Sequence, residues 1–379
     1  MRADLDLTYT QAGIVLAQLF LGGLLGTPFG GLAADFVDRR LLSAGGAFAY
    51  AAAMVAFGLA HDFWVMVVAA FFWGAASDPF VHPSFVVLAE LDPDNLEVNT
   101  ARQNLFSSFG DILSPLTIAL VFAVGLDWRA LVIGGGILMA LYGFWFLSLT
   151  FPPVPPSKDG HTPWSSVVSV IRDKRVIRLA LVLTLYSTLD EPFVAFVILF
   201  ARETEGYGAS VASLVGLSYI ASGALGYTAV PWLLARYRGG ALLQLLTLGL
   251  GAGVLAAAIA PHIAVVVVGL ALAGTMGAAF YSILDARLAL LRPGQVGAVT
   301  TVSSYIDTLA LGFPPLVGAV ADAASLQAGL FIYAAIPALM LVLLLLPAPS
   351  SPPPGLQAPK TQGPREPSPW QGEGQPQRG

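Results

Sequence analysis

The chain has 379 residues, 56% of them hydrophobic and 11% charged, with a mean hydropathy of +0.76; a soluble domain carries roughly a quarter charged residues, so lipid is the expected solvent. The formal net charge of -5 is scattered between apolar runs, and no basic patch points to nucleic acid. With no cysteine at all, disulfides, thiolate catalysis, iron–sulfur clusters and cysteine zinc sites are excluded. The opening MRADLDLTYTQAG carries acids where a secretory signal has its basic region, so the membrane segments themselves are expected to direct insertion.

A helix crossing the hydrocarbon core takes about 20 mostly apolar residues, and only helices or closed barrels satisfy their backbone in lipid. Apolar runs broken by charge, Pro or Gly predict spans at 10–34, 41–60, 63–89, 100–125 and 128–150. A second group is predicted at 177–201, 209–235, 240–260, 263–289, 297–321 and 325–347. These eleven runs are too long for barrel strands and define an all-α integral membrane protein. An N-terminal bundle of five helices fills 1–150, a polar linker 151–176 and a C-terminal bundle of six helices 177–347. Residues 348–379 form a Pro-rich tail too polar to fold.

Lys and Arg in short loops mark the cytoplasmic side. One set of connections holds Arg39, Arg40, Arg102, Lys158, Arg172, Lys174, Arg175, Arg178, Arg236, Arg238, Arg287 and Arg292. The opposite set holds Arg2, Arg129 and Arg202. This bias predicts an outside N-terminus, with the linker and the C-terminus in the cytoplasm.

The two groups also echo each other, as in transporters built from repeated bundles. Ser107-Ser108-Phe109-Gly110-Asp111-Ile112-Leu113, followed by Pro115, matches Ser303-Ser304-Tyr305-Ile306-Asp307-Thr308-Leu309, followed by Pro314 and Pro315. A weaker echo pairs Asp78-Pro79-Phe80-Val81 with Glu191-Pro192-Phe193-Val194.

After the first span the chain reads Gly30-Gly31-Leu32-Ala33-Ala34-Asp35-Phe36-Val37-Asp38-Arg39-Arg40. This resembles the loop signature of the major facilitator superfamily. Gly31, Asp35, Arg39 and Arg40 match, whereas Phe36 and Asp38 stand where the family usually has a basic residue and Gly. The resemblance, which covers residues 5 to 347, implies a two-bundle fold of twelve helices with both termini inside. It implies further that Asp35 latches onto the second half in one access state. The signature here follows the first span instead of the second, so the first of the twelve helices is expected to be missing, through a misplaced start or as a true eleven-helix variant.

An ionisable group at the bilayer centre costs roughly 2.5 to 3.5 kcal/mol on insertion scales and usually marks a pathway. Near mid-depth stand Asp78, His82, Asp111, Asp190, Glu191 and Asp307, with Asp285 nearer the cytoplasmic end and no Lys or Arg at comparable depth. Asp78 and His82 share a helix face, each followed by Pro; they read as a proton site or substrate contact, or as a structural buried pair. Two such ligands without a third make a weak metal signal, and neither metal nor cofactor is expected. Of Asp190 and Glu191, which point about 100° apart on a helix, one is expected to face the pathway. Asp111 and Asp307, with serines one turn earlier, fit interhelical hydrogen bonding as well as a pathway.

The resemblance implies a secondary active transporter in the cell membrane, working by alternating access as a monomer, for uptake or efflux. The acid-rich interior favours a neutral or cationic small solute moved with protons. A polytopic membrane enzyme and a transporter-derived sensor or scaffold are the alternatives. The four histidines, His61, His82, His161 and His262, are scattered and no HExxH, Walker or nucleophile-elbow motif occurs, so an enzyme is not expected.

Overall fold

A computed structural model describes residues 5, 7, 9–151, 163–203, 209–237, 240–259 and 262–347. In chain order the helices are α1 (Tyr9–Gly30), α2 (Arg39–Leu59), α3 (Phe63–Leu91), α4 (Leu96–Ala123), α5 (Trp128–Ser148), α6 (Pro163–Ile171) and α7 (Lys174–Leu189). They continue as α8 (Glu191–Glu203), α9 (Ala209–Arg236), α10 (Gly240–Ile259), α11 (Ile263–Leu290), α12 (Val296–Asp307), α13 (Phe313–Ala323) and α14 (Leu326–Leu345). Short 3-10 turns occupy Leu32–Asp35, Pro93–Asn95 and Thr308–Gly312, and no strand occurs among the described residues.

The polar residues between apolar runs start the helices. Side-chain oxygens of Asp38, Asp62, Asp127, Asp173 and Ser325 accept backbone N–H groups in the first turns of α2, α3, α5, α7 and α14. Each such cap contributes about 1 kcal/mol. At the far end of α2, Arg129 donates to the Gly58 and Ala60 carbonyl oxygens at 2.8 and 2.7 Å and lies 4.7 Å from the Trp128 ring centre.

Among the described residues, ten helical segments are long and apolar enough to cross a membrane. The eleventh expected span, α4, is a continuous helix of 28 residues, about 42 Å long, but it is not one of the ten. Glu97, Arg102, Asn104 and Asp111 lower its hydropathy. Two expected spans are interrupted: 177–201 divides into α7 and α8 at Asp190, and 297–321 into α12, the Thr308–Gly312 turn and α13.

Within residues 9–148, α3 packs against α1 and α2, and α2 against α5. Within 174–345, α11 packs against α9 and α10, and α14 against α10, α7 and α13. The groups meet where α4 lies on α9 and α11, and where α12 lies on α1, α3 and the Leu32–Asp35 turn. In lipid, helices associate through close backbone approach. Gly26 of α1 illustrates this, because a Cβ there would stand 2.3 Å from the Ala75 carbonyl oxygen of α3. Phe20, Trp64, Phe106 and Trp232 are more than 60% exposed, leaving an apolar outer surface for acyl chains.

The expected polar linker is partly helical. Residues 152–162 lie outside the described residues, but Pro163–Ile171 forms α6, with Ser166 and Val170 buried. Arg292, just after α11, donates to Asp173 Oδ2 at 2.9 Å and to the Ser169 carbonyl at 3.0 Å, tying α6 to the second group. The expected tail, 348–379, lies outside the described residues.

Candidate functional site

Asp35 closes the 3-10 turn after α1, and its carboxylate meets the N-terminus of α12. Oδ1 accepts the Gly297 N–H and Oδ2 the Ala298 N–H, both at 3.0 Å. A helix N-terminus presents free N–H groups and the positive end of its dipole, a favourable seat for a carboxylate. The approach requires glycine on both sides. A Cβ on Gly297 would stand 1.9 Å from the Gly31 carbonyl oxygen, and one on Gly31 would stand 2.5 Å from Thr301 Oγ1.

Arg39, 2% exposed, braces this turn. Its Nε donates to the Ala34 carbonyl at 2.7 Å, and its guanidinium pairs with both carboxylate oxygens of Glu90 on α3, Nη2 to Oε1 at 2.8 Å. Arg40 contributes its backbone N–H to the Asp38 cap. A second polar seam joins α4 to α11: Glu97 pairs with Arg287, and Asn104 Nδ2 donates to Ser282 Oγ at 3.2 Å.

The second locus forms where α7 yields to α8. Pro192 lacks the N–H that would bond the Thr188 carbonyl, and Asp190 leaves helical geometry at φ -83°, ψ -112°. Its carboxyl is turned inward against the Tyr219 hydroxyl and the charges of Glu191 and Asp111, while Glu191 itself is exposed. Tyr186 of α7, Tyr227 of α9 and Tyr281 of α11 lie within the field of Asp190. The Tyr186 ring sits 5.7 Å from those of Phe280 and Tyr281. The Tyr219 hydroxyl also reaches the Leu189 carbonyl, the last of α7, at 3.5 Å. The locus thus offers a carboxyl, several phenolic hydroxyls and aromatic faces, groups that suit a polyhydroxylated or cationic solute.

Asp78 and His82 stand apart from it. His82 Nδ1 is 3.6 Å from Asp78 Oδ1, and Nδ1 is buried without a hydrogen-bond partner among the described residues. Across from them Tyr305 of α12 lies in the field of Asp78. Asp111 is exposed on α4 and acts on Asp190 and Tyr227. Asp307 ends α12 and faces Ser187 and Thr184 of α7. No group of three or more His, Cys, Asp or Glu able to hold a metal occurs among the described residues. A groove of about 880 Å³ runs between α2 and α3, lined by residues such as Gly45, Ala49, Ala52, Trp64 and Phe72, with no ionisable side chain in its wall.

The tyrosines, Glu90 and Glu97 were not singled out from sequence, and Arg287 stood out only as a marker of the cytoplasmic side. Aromatic residues on a membrane helix look like packing, and the ion pairs span 51 and 190 residues of chain.

The sequence profile of the Major Facilitator Superfamily matches residues 1–310. The fold is similar to that of the E. coli fucose:proton symporter FucP, with a TM-score of 0.76 at 17% identity over 90% of this chain and 92% of that one. FucP in the outward conformation gives 0.75 at 18% identity over 89% and 90%, respectively. The human organic anion transporter MFSD10 (TETRAN) gives 0.67 at 18% identity over 88% and 83%. None of the curated proteins compared matches the chain. The chain belongs to the Major Facilitator Superfamily, with an all-helical transporter fold, and it is a multi-pass membrane transporter and not an enzyme.

Proposed function

We propose that the chain is a proton-coupled carrier of a neutral or cationic small solute, working by alternating access in the cell membrane with its C-terminus in the cytoplasm. The observation that carries this reading is Asp190, an inward-turned acid at a break in a membrane helix, against the Tyr219 hydroxyl and with three further tyrosines in its field. Interrupted membrane helices expose backbone groups to a cavity, and acids there mark ion or proton pathways. The likeness to a fucose:proton symporter supports a neutral, polyhydroxylated solute. The acids of this locus argue against the organic anions named for MFSD10.

In this reading the seam at Asp35 is the cytoplasmic gate, held shut by the α12 N-terminus and by the Glu97–Arg287 pair, and the pathway opens outward. The likeness to FucP in the outward conformation supports that assignment. Solute and proton bind near Asp190 while the gate is shut, and the two helix groups rock to expose the site inside once the gate contacts break.

The test uses purified full chain in proteoliposomes with an imposed pH gradient and a panel of radiolabelled hexoses, polyols and quaternary ammonium ions. At least one compound is expected to accumulate against its gradient, and Asp190→Asn is expected to abolish accumulation while leaving exchange at equal concentrations. Accumulation undiminished in Asp190→Asn contradicts the assignment of Asp190.

A further inference from the structure

The span Val296–Ala323 carries a feature the gate and the Asp190 locus do not use. Pro314 and Pro315 lack the N–H groups that would bond the Ala310 and Leu311 carbonyls, and the chain passes through the Thr308–Gly312 turn before α13 begins. In the sequence repeat, α4 continues unbroken through Asp111, whereas α12 ends on Asp307. Asp307 therefore sits where the α-helix tightens into a 3-10 turn.

Asp307 Oδ1 is buried and has no hydrogen-bond partner among the described residues. The hydroxyls facing it are those of Thr184 and Ser187, and both protons are committed elsewhere. Thr184 Oγ1 donates to the Ala180 carbonyl at 3.0 Å, and Ser187 Oγ donates to the Leu183 carbonyl at 3.3 Å. A hydroxyl whose proton is spent presents lone pairs. An ionised carboxylate meets repulsion there, whereas a carboxylic acid donates its O–H and resolves the mismatch. Of the elements packed on α12, α11 brings Tyr281 into the field of Asp307, α7 brings the two hydroxyls, and Asp78 of α3 faces Tyr305 instead. Asp35, on the turn packed against the far end of α12, faces Gly297 and Ala298.

We propose that Asp307 is a proton-binding site in its own right, distinct from Asp190, and that α12 relays its protonation to the gate. The opposite end of this helix holds Asp35. The 12 residues between act as one rigid rod, about 18 Å long. Losing the proton turns Asp307 against the Thr184 and Ser187 face, pushes α12 off α7 and withdraws its N-terminus from Asp35. The relay gives the proton-coupled reading its second site. Its test reads proton binding without any solute, so failure of a transport assay and failure of this proposal are separable.

Infrared spectroscopy of the full chain in lipid, titrated from about pH 5 to about pH 9, reads the C=O stretch of protonated carboxyls. Asp307→Asn is expected to delete one titrating component that Asp190→Asn retains. Ser187→Ala, which removes one neighbour of the carboxyl and keeps every charge, is expected to shift that component by about half a pH unit or more. Spin labels on Val37→Cys and Pro293→Cys, which straddle the gate, are expected to report a separation that widens as pH rises in wild type and stays fixed in Asp307→Asn. An unchanged carboxyl titration in Asp307→Asn overturns the proton site. A pH-dependent separation preserved in that variant overturns the relay. Should Asp307→Asn fail to fold, the Ser187→Ala titration decides, and no shift there overturns the site.

Discussion

At the residue scale, a few groups hold the gate and its supports. The Asp35 carboxylate accepts two backbone N–H groups, and hydrogen bonds to a charged group are worth about 1.5 to 3 kcal/mol each. Asp35→Ala should therefore shift the balance toward the open gate by about tenfold or more. The chain has no cysteine, so a spin-label pair on exposed Val37→Cys and Pro293→Cys reports the change as a wider separation, and an unchanged distance would argue against the latch. Arg39 is a structural brace. Removing it leaves the Glu90 carboxylate without its bidentate partner, and losing one member of a buried pair costs about 3 to 5 kcal/mol. Arg39→Met should lower the thermal unfolding temperature in detergent, and Arg39→Lys should recover only part, since an ammonium cannot make the planar double contact. Outside the membrane spans, the Asn95 and Asn99 amides hold the Asp92 carboxyl below the usual carboxylate range. A carboxyl lowered in the folded state stabilises above its unfolded value, and that contribution is lost as pH falls through the folded one. Asp92→Ala should accordingly weaken the acid dependence of unfolding at low pH, with little change in stability relative to wild type there.

At the element scale, the seam between the Leu32–Asp35 turn and α12 depends on absent side chains as much as on charge. Gly297→Ala keeps every ionisable group and improves helix propensity by nearly 1 kcal/mol, yet its Cβ would stand 1.9 Å from the Gly31 carbonyl oxygen. It should open the gate as Asp35→Ala does, read by the same spin-label pair; a gate that stays closed would show that the helices tolerate wider spacing. Spans were legible in the sequence because lipid imposes one long apolar run per crossing, and α1, α2 and α10 fall close to their expected limits. The breaks were less legible. Pro79 and Pro83 lie inside α3 without ending it, whereas Pro192 and the Pro314–Pro315 pair accompany interruptions. A proline in sequence removes a donor, and neighbouring helices decide whether the chain then yields. Asp35 stood out in the sequence through its Gly-Asp-Arg setting. Its partners are backbone N–H groups of Gly297 and Ala298, which leave no side-chain signature.

At the scale of the molecule, two sets of contacts divide the work of a carrier. One end is closed by backbone and ion-pair contacts at Asp35 and Glu97, which can break without chemistry. The interior holds Asp190 and Asp307 at adjoining helix interruptions, α7 being packed on both α12 and the Thr308–Gly312 turn. Acids were visible from sequence by their cost in lipid, but their grouping was not: Asp190 gathers Asp111 and four tyrosines from α7, α9 and α11. Asp78 and His82, equally prominent in sequence, face α12 at a separate place.

In the proposed mechanism, protonation of interior acids selects between two states of the gate. Pulsed spin-label distance measurement on the Val37→Cys, Pro293→Cys pair in lipid tests it without a known solute. Two resolved separations are expected, their populations exchanging with pH, the closed one favoured in acid, in a ratio altered by Asp190→Asn and Asp307→Asn. One separation at every pH, in wild type and variants alike, would contradict it.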